Sequence, residues 1–474
     1  MSAPQEPSTK ESSEKKELTE QKASSKTPSL PPPPSNRGTV LCLLGLAAVT
    51  TLCAVGAVLV IAFNEGSDDE DIDYKPSVSK LGNYSKWAAV TDANACVNAS
   101  RWMYEKGGNA IDAAVATLLC HTLALPDSNG IGGGFGATIY LAKDRRVETL
   151  IARETAPAAA TKDMFVNKPE ASLRGGLSVA VPGELRGYEE LVRNFGNKTF
   201  GEHFEYSIKL AREGIQVTNY LANAIQPEYK HLKETPALKD LYSKRGTGNP
   251  LTQGDTLRNP DLAKTYKELM DKGVDYFYKG ALAEKIVQAV SNSNGIITKQ
   301  DLEEYNVRWE TPVERKFRDG RTMYSVRPPA SGPVLAYMLG IVDEIREGPD
   351  DALNDDSLNY HRFIEALKFA YAKRALLGDE KKEPSVAAVA MRTLWQGKNI
   401  KQAIDEPRVH HQLLPADLEV EESFPQRYVS DLKKKGHKIK FKKTMPNVIS
   451  GIHKRDGRLY ANTDFRKGST VDGE

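Results

Sequence analysis

The chain has 474 residues, 40% hydrophobic and 27% charged, enough for two or three domains that each bury a core; wholesale disorder and collagen-like repeats are excluded. Sixty-five basic against 63 acidic residues leave a formal charge of +2, which gives no general electrostatic case for a nucleic-acid partner. Four cysteines exclude a disulfide-dense mini-domain.

Residues 1–38 are rich in Ser, Lys and Glu and end near Pro31-Pro32-Pro33-Pro34, a composition that cannot bury a core and favours extended polyproline. Residues 39–63 then run for 25 positions without a charge, whereas a bilayer core needs about 20 apolar helical residues, so this stretch reads as a transmembrane signal anchor. Lys22, Lys26 and Arg37 precede it and Glu65, Asp68, Asp69, Glu70, Asp71 and Asp73 follow it, which puts the amino terminus in the cytosol. The reading is a type II single-pass protein with an acidic stalk over 64–83 and an ectodomain from residue 84, in a compartment that permits disulfides and glycans. Three acceptor sequons lie in that part: Asn83-Tyr84-Ser85, Asn98-Ala99-Ser100 and Asn197-Lys198-Thr199.

The ectodomain opens on a helical pattern from Asn94 to Lys106, stopped by Gly107-Gly108. A second helix follows, with Ile111, Ala114, Val115, Leu118 and Leu119 on one face before Pro126. Two helices joined so tightly lie antiparallel, which brings Cys96 and Cys120 to nearly the same height, either bonded or as two free buried thiols. Next comes Gly130-Ile131-Gly132-Gly133-Gly134-Phe135-Gly136. It formally satisfies a dinucleotide fingerprint, but a helix precedes it and a strand follows, the reverse of what that fingerprint needs; what remains is a backbone able to approach another segment closely. Strands over 137–142 and 147–152, turned at 143–146, deliver Arg153-Glu154, an arginine suited to bidentate carboxylate binding or to a surface ion pair.

From about 201 to 380 the pattern is mainly helical, and a hairpin over 448–454 and 458–462 closes the chain. Strands near both ends enclosing helices suggest a layered α/β or α+β sandwich. The sequence holds no H-E-x-x-H, paired C-x-x-C, G-x-S-x-G or Walker A motif. The eight histidines are scattered, and adjacent His410 and His411 cannot face the same way, so neither a metal site nor a cofactor is expected.

Several segments together resemble one family. Asp112-Ala113-Ala114-Val115-Ala116, Gly130-Ile131-Gly132-Gly133-Gly134, Ala152-Arg153-Glu154-Thr155-Ala156-Pro157 and Val181-Pro182-Gly183-Glu184 look like the large-subunit region of gamma-glutamyltransferases, also called glutathione hydrolases. Arg327-Pro328-Pro329-Ala330-Ser331-Gly332-Pro333, Phe369-Ala370-Tyr371-Ala372-Lys373-Arg374, Glu406-Pro407-Arg408-Val409-His410 and Asp464-Phe465-Arg466-Lys467-Gly468 continue the likeness, which covers about 86–378 and 394–469. The resemblance implies an αββα N-terminal-nucleophile hydrolase sandwich, made as one chain that cuts itself so that a new terminal threonine becomes the nucleophile. Its freed α-amine supplies the base. The family acts on glutathione and other gamma-glutamyl compounds, passing the glutamyl group to water or an acceptor amine, with two glycine amides holding the oxyanion. Carried onto this chain, the resemblance assigns Arg153 to the donor's α-carboxylate and pairs Cys96 with Cys120.

The nucleophile does not carry over. It belongs in a Gly-Thr-Thr/Ser/Ala-His context shortly after the large-subunit region, but residues 378–395 pass directly from large-subunit sequence to late small-subunit sequence. Downstream of Glu380 the threonines are Thr393, Thr444, Thr463 and Thr470, and none has that context. The expected layout is a large-subunit-like ectodomain over 84–380, a deletion junction over 381–393 and a small-subunit remnant over 394–474. Such a chain reads as a splice or gene-model variant with an incomplete sandwich that does not turn over glutathione. It would stand at the plasma membrane or be retained in the endoplasmic reticulum, as a non-catalytic ectodomain or in a heteromer with a full-length relative.

Overall fold

The computed structural model describes residues 74–348, 353–374, 384–445 and 447–474. The expected cytosolic tail, the expected 39–63 span, residues 64–73 of the expected acidic stalk and residues 381–383 of the expected junction lie outside the described residues. Among the described residues no helix is long and apolar enough to cross a membrane.

Strands β1 (Gly82–Tyr84) and β2 (Ala88–Thr91) lead into helices α1 (Asn94–Glu105) and α2 (Ala110–Ala124), then into the hairpin β3 (Phe135–Leu141) and β4 (Arg146–Ala152). A largely helical stretch follows: α3 (Glu184–Phe195), α4 (Glu205–Glu213), β5 (Ile215–Gln216), α5 (Asn219–Leu232), α6 (Pro236–Tyr242), β6 (Thr256–Leu257), α7 (Pro260–Lys272), α8 (Asp275–Tyr278), α9 (Ala281–Asn292) and α10 (Lys299–Glu303). Then come β7 (Arg308–Glu310), β8 (Val313–Lys316), β9 (Thr322–Ser325), α11 (Gly332–Glu344), α12 (Ser357–Arg374), α13 (Pro384–Trp395) and α14 (Ile400–Asp405). The chain ends with β10 (Val409–His410), β11 (Asp417–Glu421), α15 (Gln426–Lys434), β12 (Lys438–Lys442), β13 (Gly451–Arg455), β14 (Arg458–Asn462) and β15 (Thr470–Gly473).

The mainly helical expectation for 201–380 agrees with the described residues there, which also carry five short strands. Val313-Glu-Arg-Lys and Thr322-Met-Tyr-Ser pair as a hairpin about Gly320, whose φ of +83° favours glycine. Their period-two pattern is only four residues long on each side, too short to stand out against flanking helices.

The α1–α2 hairpin is fixed at both ends. Gly107 (φ +82°) makes the turn, and Asn109 caps α2 by accepting from the Ile111 amide at 2.8 Å while Asp112 accepts from the Asn109 amide at 2.8 Å. Asp112 is fully buried and also accepts from the amides of Asn197 at 2.9 Å and Lys198 at 3.2 Å, with His203 Nε2 3.1 Å away. It ties the start of α2 to the loop before α4. Near the other end Cys96 and Cys120 are joined by a disulfide with Cα atoms 5.5 Å apart, and Ser100 Oγ meets Thr117 Oγ1 at 2.7 Å between the same helices.

Six small sheets are present among the described residues. β3–β4–β7 is antiparallel, with Phe135 opposite Ala152 and Thr149 opposite Glu310. β1–β14–β13 joins the start of the described chain to its end, and β15 pairs with β2, Thr470 opposite Thr91. In β10–β11–β12 the β11–β12 pair is parallel and is connected through α15. The apolar core has two main parts. One gathers residues from Ala93 to Tyr305 around α2, α3, α7 and β4; the other gathers Phe317 to Leu432 around α11, α12, α13 and β11, so segments on both sides of residues 375–383 share one core.

Candidate functional site

The end of β4 is the point on which the glycine-rich loop, the start of α3 and Arg153 converge. Gly134 presses on this strand so closely that a Cβ there would lie 2.4 Å from the Ala152 carbonyl oxygen, which is why the position admits no side chain. Gly133 offers its carbonyl to the amides of Gly183 at 2.9 Å and Glu184 at 3.0 Å, joining the loop to the first turn of α3. Thr155 and Val181 exchange backbone hydrogen bonds of 3.1 and 2.8 Å just beyond. Tyr305 donates its hydroxyl to the Arg153 carbonyl at 2.8 Å, which fixes the backbone under the arginine.

Arg153 itself keeps its head available. Its Nε lies 2.9 Å from Glu154 Oε2 without the alignment of a hydrogen bond, and both side chains are about a quarter exposed. A planar guanidinium paired with one partly exposed carboxylate can exchange it for an incoming one.

Behind the loop sits Glu184, 3% exposed. It accepts from the Tyr188 hydroxyl, from Asn129 Nδ2 at 3.2 Å and from the Gly130 amide. Burial nevertheless pushes its carboxyl up to about 7, with the nearby Glu154 charge adding to the rise. The residue belongs to the Val181-Pro182-Gly183-Glu184 segment, but nothing in that segment's composition signals a buried acid; its partners come from 55 positions upstream and from the next turn of its own helix.

The closing segments form a second buried cluster. Arg408 pairs with Asp464, both side chains at most 1% exposed, and Asp464 also accepts from the Ile449 amide at 3.1 Å. Arg466 binds Glu421 through Nε at 2.8 Å, and Glu421 accepts from the amides of Arg408 at 2.9 Å and Met445 at 2.8 Å. Arg392 pairs with Glu406 at 2.7 Å. These groups are a scaffold of paired charges with little access to solvent. Lys467 instead donates to Asp92 at 3.1 Å beside a cleft of about 460 Å³ that does not include Arg153. Next to it His121 contacts Thr91, and burial drives its ring down to about 4, so it is neutral near pH 7.

The threonines after Glu380 have ordinary structural settings. Thr393 lies inside α13 and donates to the Val389 carbonyl at 2.9 Å, Thr444 is exposed in a bend, Thr463 is buried and Thr470 is paired in β15. The sequon residues Asn83, Asn98 and Asn197 are exposed.

A protein-family model described as Gamma-glutamyltranspeptidase matches residues 96–387 and 378–473. The chain belongs to the gamma-glutamyltranspeptidase family. It is 30% identical over 541 positions to scoloptoxin SSD14 of Scolopendra dehaani, covering 84% of this chain and 94% of that one. To glutathione hydrolase 3 of Arabidopsis thaliana it is 34% identical over 321 positions, 68% of this chain and 50% of the relative; against that protein the chain spans half the length. Among solved structures it resembles the gamma-glutamyltranspeptidase of Helicobacter pylori at 31% identity and a TM-score of 0.58, covering 65% of this chain and 86% of that one. Cephalosporin acylase from Bacillus halodurans shares the fold at a TM-score of 0.72 and 20% identity, over 84% of this chain and 98% of that one. The mixed α/β fold is thus that of the family and its structural neighbours.

Proposed function

We propose that this chain is a gamma-glutamyltransferase-family ectodomain that neither cleaves itself nor turns over glutathione. It carries Arg153, suited to the α-carboxylate of a gamma-glutamyl compound, but no threonine suited to attack the γ-carbonyl. The observation that carries this reading is the setting of the four threonines after Glu380: one inside a helix, one in a bend, one buried and one in a strand. A nucleophile of this class needs a free α-amine beside its hydroxyl, which requires cleavage immediately before it. Two further facts support an internal loss in an αββα sandwich. The family match falls into two stretches that meet at 378–387, and the alignment to the centipede relative is 541 positions long against a chain of 474 residues.

In this proposal residues 39–63 anchor the chain as a type II membrane protein with the ectodomain outside the cytosol, at the cell surface or held in the endoplasmic reticulum. Asn83, Asn98 and Asn197 accept glycans there, and their exposure supports that part of the reading. The retained arginine makes it a binder of gamma-glutamyl compounds, alone or in a heteromer with a full-length relative. The test is the intact mass of the purified, deglycosylated chain together with calorimetric titration of a gamma-glutamyl amino acid. One uncleaved species, whose binding is lost in Arg153→Met, is the expected result. A fragment that begins with threonine would overturn it.

A further inference from the structure

Three side chains apart from the Arg153 site in sequence meet across 76 positions. His361 and Glu365 stand one turn apart on the same face of α12. His437 follows α15, where Gly436 (φ +92°) turns the chain toward β12 and the His437 amide donates to the Leu432 carbonyl at 3.1 Å. His361 Nδ1 lies 2.8 Å from His437 Nε2, and each of these nitrogens lies 3.9 Å from Glu365 Oε1. The point equidistant from the corners of a triangle with those sides is about 2.1 Å from each, the distance at which zinc takes imidazole nitrogen and carboxylate oxygen.

We infer that His361, Glu365 and His437 form a binding site for a divalent cation of the zinc class, clipping α12 to the turn between α15 and β12. The donor set is two imidazoles and one carboxylate, which suits zinc or cobalt better than magnesium or calcium. Burial is graded in the direction such a site needs. The His437 side chain is 4% exposed and forms the inner wall, His361 is 27% exposed, and Glu365, at 36%, stands at the rim and leaves a solvent-facing side for a fourth ligand. The two imidazoles share a hydrogen bond and Lys368 holds Glu365. Binding replaces both contacts with coordination bonds. The two helices are already in contact, since Ser357, one turn before His361 on α12, donates its Oγ to Asp431 Oδ2 of α15 at 3.1 Å. The clip acts on the fold: α12 is the last described helix before residues 375–383, and α15 lies beyond them.

The test is titration of the full chain, purified without a metal-binding tag, with cobalt(II) alone, reading visible ligand-field absorption, followed by competition with zinc(II). One equivalent binding with micromolar or tighter affinity, displaced by zinc, is the expected result. His361→Ala and Glu365→Gln each weaken it by about tenfold or more, whereas His231→Ala on α5 leaves it unchanged. Glu365→Gln keeps the side chain's shape, so at one fixed zinc concentration the melting temperature of the parent chain rises by more than that of this variant, which separates lost coordination from lost folding. Affinity weaker than about 100 μM in the parent chain, or binding that His361→Ala and Glu365→Gln leave intact, would overturn the assignment.

Discussion

Glu184→Gln tests whether the buried carboxyl behind the glycine loop is protonated in the folded chain. Burial raises that carboxyl from 4.5 to about 7, against the lowering effect of its hydrogen bonds from Tyr188, Gly130 and Asn129. A folded-state value above the unfolded one means that the native chain holds the proton more tightly, so the group's stabilising contribution is complete below about pH 4.5 and disappears as the pH rises through about 7. At about 1.4 kcal/mol per pH unit, the shift amounts to about 3 kcal/mol between those limits. Glutamine keeps an acceptor for the Tyr188 hydroxyl and removes the titration. Denaturant unfolding of both proteins at intervals from pH 4.5 to 8 supplies the measurement, and the difference between them cancels every other titrating group. The parent chain should lose about 3 kcal/mol more than Glu184→Gln across that window. Parallel curves would refute the argument that burial governs this site.

Two other substitutions probe the scaffold. Asp464→Asn leaves the Arg408 guanidinium buried without its carboxylate, and should lower unfolding free energy by about 3–5 kcal/mol with an unchanged denaturant slope; a loss below about 1 kcal/mol would show that the pair is dispensable. Cys120→Ser opens a loop that spans 24 positions, and should cost about 3 kcal/mol if the bond acts on the unfolded chain, with reduction of the parent producing the same drop in the unfolding midpoint.

What could be read from the residues was local. Gly107-Gly108 and the helical pattern from Ile111 to Leu119 specify the α1–α2 hairpin, because a helix end and a helical period are properties of neighbours in sequence; the buried face is shifted from the expected one, with Ala114 exposed and Asp112 and Ala116 buried. The β3–β4 hairpin was legible for the same reason, with its strands joined by a short turn. Pairings that close over long distances were not. β15 against β2 and β1 against β14 join the two ends of the described chain, and no local pattern specifies such a register.

The site residues divide the same way. Arg153 stands out as an arginine at a strand end, and the family resemblance gives it a role. Glu184, Arg408 and Asp464 sit in quoted segments, yet their burial and pairing come from packing, with 56 positions between Arg408 and Asp464. His361 and His437 read as two of eight scattered histidines because the turn at Gly436 that joins them belongs to tertiary structure.

Hydrolysis of a gamma-glutamyl anilide by the purified chain, beside a full-length relative as positive control, tests the proposed loss of function most directly. Soluble, monodisperse protein with no turnover above the uncatalysed rate is the predicted result. Turnover comparable to that of the control would contradict it, and would mean that a nucleophile survives among the residues after Glu380.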